Sequence, residues 1–341
     1  MSARLKFLTV LAALLGPALA GCGLPGLTAS AGSKSGPIRI ETQQIYLNPE
    51  QPDQNMIGVL EYRGGLALSS NTGNFGGLSG LSLSPGGDAL IAVTDQGDLL
   101  RARLLHDKKG WLKGLGDVRL HRLRGVDGKH LSRRADKRDQ DAEAIERLAG
   151  GGYLVSFEIR HRVLRYEGLR ERPTLFSIPP GIEGAPRNGG LEAMTPLPDG
   201  RILVLTEKFR AKGKNKGDYI GWLLDADGKS LGRVYWPGFG IFRPTDLAAL
   251  PNGDVLLLQR RYTVAGGPGM RLSQISAARI KPGARLLDVE LAQMAPPLAV
   301  DNFEGLAVVP DPAGGWTVYL LSDDNFNLLQ RTLLLQFHLK N

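Results

Sequence analysis

A chain of 341 residues is long for one compact domain of average size but ordinary for a single closed all-β architecture, so length alone does not require two domains. With 42% hydrophobic residues, 22% charged residues and 45 glycines, the composition excludes a disordered chain and indicates a fold with many turns. The net charge of +8 is modest for this length, so nucleic acid is not an expected partner.

The first elements along the chain are those of an export signal. Arg4 and Lys6 precede a short apolar segment, 7–15, which is too brief to span a bilayer comfortably. The sequence Leu-Ala-Gly-Cys at 19–22 resembles the bacterial lipobox, in which the chain is cut before a lipidated cysteine, so we expect lipidation at Cys22. The alternative is ordinary cleavage after Ala20 that leaves a free thiol. Because the chain has one cysteine, an internal disulfide is excluded.

These signals divide the chain into a lipoprotein signal peptide (1–21), a flexible tether (22–36) and a folded domain (37–341). The tether is rich in glycine and serine and is long enough to hold a domain away from a bilayer. Several acyl chains on one residue would hold the protein on a membrane. We therefore predict a monomer in the cell envelope, lipid-anchored to the outer membrane and facing the periplasm.

The predicted domain contains a repeat. Five segments share an apolar strand, a turn rich in Pro, Asn, Asp or Gly, and a second apolar strand, which predicts five β-hairpins. The segments begin at residues 80, 143, 192, 246 and 304. Spacings of 49 to 63 residues are typical of four-stranded sheets arranged around an axis, so we predict an all-β β-propeller. We expect six blades, one of them built partly from N-terminal strands; five or seven blades, or two β-sandwiches, are the alternatives.

Acidic residues recur at matching positions in these hairpins. The matched pairs are Glu143 with Glu158, Glu192 with Glu207, Gly80 with Asp95, Asp246 with Arg261, and Glu304 with Asp323. Each midpoint falls in a turn, so we expect the partners to face each other across two strands, where like charges destabilise a sheet. A cation, a nearby basic residue or a raised pKa would relieve the repulsion. The pattern predicts an acidic ring at a channel mouth; the alternative is solvated strand ends, and a register slip of one residue would separate the partners.

Basic residues follow the acidic positions. Arg160 and His161 follow the second hairpin, Lys208 follows Glu207, and Arg260 and Arg261 end the fourth hairpin. Carboxylates that bind calcium, with arginine and lysine beside them, suit an anionic substrate such as a phosphoester. The alternative for residues 208–216 is a solvated loop whose charge maintains solubility.

Two Asp-Asn-Phe copies, at 301–303 and 324–326, lie at the two ends of the last hairpin. Their side-chain oxygens suit calcium, which adds Asp324 to the candidate ligands. Asp and Asn also initiate turns without a metal, so both interpretations stay open.

The segments that carry a family resemblance lie between about Gly77 and the C-terminus. They are Ser-Gly-Leu at 79–81 with Thr-Asp at 94–95, Asp-Ala-Glu-Ala-Ile at 141–145 with Ser-Phe-Glu at 156–158, Asn-Gly-Gly-Leu-Glu-Ala-Met at 188–194 with Thr-Glu at 206–207, and Asn-Phe-Glu-Gly-Leu at 302–306 with Leu-Ser-Asp-Asp-Asn-Phe at 321–326 and Gln-Arg-Thr at 330–332. Together they resemble the bacterial phytase-like family, often labelled as having esterase-like activity. The resemblance implies a β-propeller related in name to calcium-dependent phytases. The chain departs from the family pattern at Ala144 and Ala193, which replace a glycine, and at Arg261, which replaces an acid.

The leading hypothesis is a hydrolase of phosphoesters or carboxylesters that uses calcium. The candidate catalytic residues are Glu143, Glu158, Glu192, Glu207 and His161. The candidate metal ligands are Asp95, Glu143, Glu158, Glu192, Glu207, Asp246, Glu304, Asp323 and Asp324. The candidate substrate-binding residues are Arg160, Lys208, Arg260 and Arg261.

The residues also bear on two other functions. A serine esterase is disfavoured, because the chain has no Gly-x-Ser-x-Gly elbow and its five histidines form no evident triad or zinc site. A non-catalytic envelope propeller that binds or scaffolds, with a structural metal, remains the alternative, because propellers serve both roles.

Overall fold

The computed structural model describes residues 35–73, 75–133 and 136–340. The predicted signal peptide, Cys22 and the predicted tether up to residue 34 lie outside the described residues, so export, lipidation and anchoring remain predictions. Within the described ranges, the search for membrane-crossing helices finds none of sufficient length and hydrophobicity.

β-Strands make up nearly all of the regular structure. In chain order they are β1 (Gly36–Pro37), β2 (Glu41–Gln44), β3 (Met56–Ile57), β4 (Leu60–Ser69), β5 (Leu78–Leu83), β6 (Ala89–Thr94), β7 (Asp98–His106), β8 (Leu112–Arg122), β9 (Ala142–Arg147), β10 (Tyr153–Phe157), β11 (Arg162–Tyr166), β12 (Thr174–Ser177), β13 (Leu191–Pro196), β14 (Ile202–Arg210), β15 (Tyr219–Leu224), β16 (Ser230–Trp236), β17 (Arg243–Ala249), β18 (Val255–Thr263), β19 (Gly267–Ile275), β20 (Asp288–Met294), β21 (Asn302–Pro310), β22 (Trp316–Asp323) and β23 (Thr332–Leu339). Single-turn 3₁₀ helices lie at Leu131–Arg133, Lys137–Asp139, Ile182–Gly184, Gly213–Asn215 and Ala277–Arg279.

The strands form five antiparallel sheets, which are the blades of a propeller. Blade 1 contains β5–β8 with β1 on its outer edge, and blades 2, 3 and 4 contain β9–β12, β13–β16 and β17–β20. Blade 5 contains β21–β23, β4 and β2, with β3 paired to β4. The first strands of successive blades, β5, β9, β13, β17 and β21, contact one another in a closed ring. They therefore line a central channel.

The all-β propeller is confirmed. It has five blades, which was one of the two alternatives to the expected six. The expected sixth blade does not form, because the N-terminal strand β4 pairs with β23 from Leu60 opposite Leu339 to Leu68 opposite Thr332. The last blade has only three strands of its own, so this pairing completes it. It also joins the two ends of the domain, which closes the ring of blades and covers an exposed strand edge.

The hydrophobic core consists of five clusters, one between each pair of neighbouring blades. Phe157 and Leu164 of blade 2, for example, pack with Val93 and Leu99 of blade 1. Strands inside a blade face such a cluster on both sides, so they are apolar along most of their length, as in β15, which is buried at every position. Two β-sandwiches are thereby excluded.

Candidate functional site

A β-bulge interrupts the first hairpin of every blade near the start of its inner strand. In blade 2 the register shifts on β9 opposite the segment from Val155 to Phe157. In the other blades it shifts between Leu78 and Leu81 (blade 1), Leu191 and Ala193 (blade 3), Pro244 and Asp246 (blade 4), and Phe303 and Gly305 (blade 5). Each bulge adds one residue to the inner strand, so a constant sum does not hold across it. The prediction that Glu143 and Glu192 face Glu158 and Glu207 directly is therefore wrong. The amide of Glu158 instead donates to Asp141 O at 2.9 Å, and that of Glu207 to Gly190 O at 3.1 Å.

The last backbone pair before each bulge gives the true equivalence between blades. The inner-strand residues that follow this pair are Ser79, Glu143, Glu192, Thr245 and Glu304. The second-strand residues that follow it are Asp95, Glu158, Glu207, Arg260 and Asp323. In blade 4 the equivalent pair is thus Thr245 with Arg260 and not Asp246 with Arg261. In blade 1 the equivalent pair is Ser79 with Asp95, so the predicted match to Gly80 was one residue late while Asp95 was matched correctly.

The carboxylates nevertheless converge at one channel mouth, and we call them the acid ring. The acid ring comprises Asp95, Asp141, Glu143, Glu158, Glu192, Glu207, Glu304 and Asp323. Asp141 was not among the predicted site residues, although it lies two residues before Glu143 and opposite Glu158. Burial raises the pKa of Glu192 well above its usual range, and so do the charges of Glu143, Glu158, Glu207 and Glu304. Acids from blades 2, 3 and 5 therefore interact across the channel.

The tightest group in the acid ring belongs to blade 2. Asp141, Glu143 and Glu158 each offer an oxygen, and these oxygens all lie within 4.8 Å of one another. Glu158 is held in place because its Oε1 accepts hydrogen bonds from the amides of Gly189 and Gly190, at 2.6 and 2.5 Å. Burial raises the pKa of Glu158 to about 7, despite these hydrogen bonds. Burial, together with the charges of Glu158 and Asp141, raises that of Glu143 well above its usual range.

Among the described residues, basic side chains form ion pairs only with the other half of the acid ring, and we call the half without ion pairs the unneutralised half. Arg260 places Nη2 3.1 Å from Oε1 of Glu207 and Nε 2.9 Å from Oε1 of Glu304. Lys208 also forms an ion pair with Glu207, and Nη1 of Arg243 lies 3.4 Å from it. Arg243 was not among the predicted site residues, because it lies at the start of β17 and outside the acidic pattern. No described lysine or arginine forms an ion pair with the acids of blades 1 and 2 in this ring.

The unneutralised half suits a hard cation such as calcium. In the part of the chain that the structure describes, Asp95 Oδ1 is buried without a hydrogen-bond partner, and its pKa is raised to about 7, chiefly by burial and then by Asp141 and Asp324. Asp323 is 5% exposed, and burial and Glu304 raise its pKa well above its usual range. Clustered carboxylate oxygens without a basic partner are the ligands that calcium prefers. The residues present therefore fit a calcium ion.

Two predicted metal ligands are instead engaged by the protein itself. Asp246 is 2% exposed and accepts hydrogen bonds from its own neighbour Leu247 at 2.9 Å and from Leu306 of blade 5 at 2.7 Å. Asp324 accepts from the amides of Gly77 and Phe326 and from the Thr332 hydroxyl, each at 3.1 Å. Asp246 thus joins inner strands across the channel, and Asp324 forms the predicted turn and ties blade 5 to blade 1.

Three further predicted residues lie near the mouth but contact other partners. Arg160 pairs with Asp139 at 2.7 Å and with Asp136 at 3.0 Å. The guanidinium of Arg261 lies over the ring of Phe242, 5.5 Å from its centre. His161 Nε2 lies 3.1 Å from Pro186 O, Nδ1 is buried without a described hydrogen-bond partner, and burial lowers the histidine pKa.

Gly190 lies between His161 and the acid ring, so its replacement should disturb the position of the Glu158 carboxylate. A Cβ on Gly190 would lie 2.1 Å from ring atoms of His161, so Gly190→Ala must displace the imidazole or the amide that holds Glu158. We expect a loss of about 1–3 kcal/mol of unfolding free energy and weaker calcium binding, measured by chemical denaturation and calorimetry. Gly150→Ala is the matched control, because a Cβ there meets nothing within 4 Å. Equal stability of the two variants would contradict the close packing.

A large cavity lies at the other end of the channel. It measures about 710 Å³ and is lined by the hairpin turns of all five blades, with Glu146 and Arg147 among otherwise mostly apolar residues. The acid ring does not line this cavity. We take the acid ring as the candidate functional site, because the interacting carboxylates lie there.

Five blades around a channel, with buried carboxylates converging at one mouth, define a propeller protein with a candidate cation site. Comparison with known proteins refines this class. The model of the phytase-like family, described as the esterase-like activity of phytase, matches residues 73–326, and the chain belongs to this family. The family resemblance in the sequence is thereby confirmed. A search of curated protein sequences finds no match.

Solved structures share the fold at low sequence identity. The α-L-arabinofuranosidase of Podospora anserina, solved with cellotriose, is 11% identical over 79% of this chain and 93% of the enzyme, with a TM-score of 0.51. The PQQ-bound aldose sugar dehydrogenase of Streptomyces coelicolor is 14% identical over 80% of this chain and 97% of its own, with a TM-score of 0.44. At such identities the likeness to the arabinofuranosidase supports the propeller fold alone.

Proposed function

We propose that this phytase-like propeller is a calcium-dependent hydrolase of phosphoesters or carboxylesters, held on the cell envelope by a lipid anchor. The observation that carries the proposal is the cluster of Asp141, Glu143 and Glu158, whose oxygens lie within 4.8 Å of one another without a basic partner among the described residues. Three acids so close cannot all ionise without a compensating cation. A divalent cation would let them ionise together at neutral pH.

In this proposal Asp141, Glu143 and Glu158 hold the ion, and Glu192 interacts with Glu143 and Glu158 from the neighbouring blade 3. Bound calcium would polarise the phosphoryl or carbonyl group of the substrate and make a water molecule more acidic. Burial and the surrounding acids raise the pKa of the Glu192 carboxyl, which favours its protonated form and suits it to donate a proton to a leaving-group oxygen. The amides of Gly189 and Gly190 keep Glu158 oriented throughout.

Substrate recognition is proposed for the exposed basic groups beside Glu207. The Lys208 and Arg243 side chains are 34% and 46% exposed, so each can approach a bound anion while remaining close to Glu207. Arg260 lies deeper, between two carboxylates, and is better placed to organise the site than to bind substrate. A small anionic ester or phosphoester is the substrate class that these charges favour.

The test is hydrolysis by the purified chain of aryl phosphates, phytate, short-chain aryl esters and lactones, with calcium and with a chelator. We expect one of these classes to be hydrolysed with calcium, and the activity to be lost in chelator and in Glu192→Gln. A folded protein that binds calcium and hydrolyses nothing in the panel would replace this proposal by the second candidate.

The second candidate is an envelope binding or scaffold propeller in which the cation is structural. It is favoured by the engagement of Arg160 with Asp136 and Asp139, because this removes one of the predicted substrate contacts. Under this candidate, calcium raises the melting temperature without any catalytic effect.

The proposed membrane anchor has its own test. Cys22→Ser removes the sulfur that would carry the lipid, and one thioether-linked diacylglycerol contributes about 0.8 kcal/mol per buried methylene. We expect the wild-type chain in the membrane fraction and the Cys22→Ser chain largely in the soluble fraction after cell fractionation, with no incorporation of labelled fatty acid. Equal membrane association of both chains would reject lipidation at Cys22.

A further inference from the structure

Blade 4 places a positive charge where the second strands of the other four blades lead into an acid. Arg260 follows the pair of Pro244 with Gln259, just as Glu158 follows the pair of Ala142 with Phe157 before the bulge of blade 2. Glu207 and Asp323 hold the same place in blades 3 and 5. The bulge is present in blade 4 as well. Arg260 therefore replaces an acid at a position where the backbone geometry is the same as in the other blades.

The contacts of Arg260 are those expected of a bridging cation. Its Nη2 lies 3.1 Å from Glu207 Oε1 of blade 3 and its Nε 2.9 Å from Glu304 Oε1 of blade 5. Glu304 Oε1 also accepts from Asn302 Nδ2 at 2.8 Å, which orients the carboxylate. One guanidinium therefore joins acids from the blades on either side of its own, much as a metal ion joins ligands from separate chain segments.

The opposite half of the acid ring has no ion pair with a described lysine or arginine, and the charge of Arg260 acts on its Glu143 only from beyond ion-pair distance. Asp141, Glu143 and Glu158 form the close oxygen cluster there. Glu192 is only 5% exposed and interacts with acids of both halves. Beside this cluster, Asp95 Oδ1 is buried without a hydrogen-bond partner among the described residues, which is an independent indication that a ligand completes the site.

We infer that Arg260 is a built-in substitute for a second cation. The acid ring then binds one divalent cation, at Asp141, Glu143 and Glu158, and removal of the guanidinium opens a second cation site at Glu207, Glu304 and Glu192. The first part rests on the proposed function, because it takes the blade 2 cluster as the cation site. The second part concerns only the stoichiometry that Arg260 imposes.

The test is equilibrium dialysis of the full chain in detergent against calcium alone. We expect one calcium ion per wild-type chain, two per Arg260→Gln chain, and one per Arg260→Lys chain, because lysine keeps the positive charge. The double variant Arg260→Gln with Glu304→Gln removes both members of an ion pair and should bind one. Arg260→Gln with Glu143→Gln should also retain one, now in the new site.

Thermal unfolding provides a second measurement if Arg260→Gln is poorly folded without metal. Loss of the guanidinium leaves Glu304 without its basic partner, so this variant should melt lower than wild type in chelator. Added calcium should raise its melting temperature by more than it raises that of wild type, because two ions stabilise the folded state. Equal calcium shifts in the two proteins would contradict a second site.

The outcomes separate this inference from the proposed function. One ion in both wild type and Arg260→Gln overturns the substitute role of Arg260 and leaves the proposed calcium site intact. No ion in wild type but one in Arg260→Gln overturns the blade 2 calcium site and keeps the substitute role. Two ions in wild type, or none in either protein, overturns the stated stoichiometry.

Discussion

Glu143→Gln is expected to weaken calcium binding by about 100-fold or more and, under the proposed function, to reduce hydrolysis accordingly. Glu143 belongs to the group of three acids whose oxygens lie within 4.8 Å, and it follows directly the last backbone pair before the bulge of blade 2. The amide keeps the size of the side chain but removes a full charge, and calcium affinity varies over several decades with the charge of its ligands. Titration calorimetry with calcium measures the first effect.

The control for Glu143→Gln is Glu167→Gln. Glu167 directly follows β11 of the same blade. The Glu167 side chain is 64% exposed and pairs with Arg165, away from the acid ring. A surface change of this kind costs little, so affinity and activity should equal those of wild type. In chelator, Glu143→Gln should be at least as stable as wild type, because it removes repulsion from Glu158 and Asp141. Unchanged calcium affinity in Glu143→Gln would rule out the blade 2 site.

The second large effect is on the pH dependence of stability without metal. Burial and neighbouring acids raise the pKa of Asp95 and of Glu158 to about 7 in the folded protein. Unfolded carboxyls titrate near pH 4, so between about pH 4 and 7 the folded chain binds more protons than the unfolded chain. The free energy of unfolding therefore falls as pH rises through this range. We expect the melting temperature in chelator to be about 5–10 °C lower at pH 7.5 than at pH 5.

Calcium should reverse this loss, because it binds the ionised carboxylates and releases their protons. The melting temperature should rise on calcium addition at pH 7.5 and change little at pH 5. Asp95→Asn cannot ionise at this position, so in chelator its stability should depend less steeply on pH than that of wild type. A metal-free melting temperature that increases from pH 5 to 7.5 would contradict the arrangement of buried acids.

The repeat of hairpins was readable in the sequence because turns and apolar strands are local signals. Pro-Asp-Gly at 198–200 and Pro-Asn-Gly at 251–253 each form a turn between the inner and second strands, as predicted. The blade number was not readable in the same way. Pairing of Leu60 with Leu339 joins residues nearly 280 positions apart, and no local pattern distinguishes an N-terminal strand that completes the last blade from one that starts its own.

In the candidate site, too, some features were readable in the sequence and others were not. Glu192 and Glu207 were identified as one site from their spacing, and they do interact at the channel mouth, although they are not opposite each other in the sheet. The bulge that separates them is a backbone feature, which the side-chain pattern does not reveal. In blade 4 the same bulge makes Arg260, and not Arg261, the residue that enters the acid ring.

By itself, the sequence determined the all-β propeller, its phytase-like family and the mouth at which the acids gather, because turns, strand periodicity and the spacing of charges are encoded over short distances. Only the tertiary structure decided the blade number, the place of Asp141 beside Glu143, the withdrawal of Asp246 into backbone hydrogen bonds and the division of the acid ring into neutralised and unneutralised halves. These depend on which strands pair across the ring closure and on one-residue bulges. Both are set by packing between blades, which no single hairpin contains.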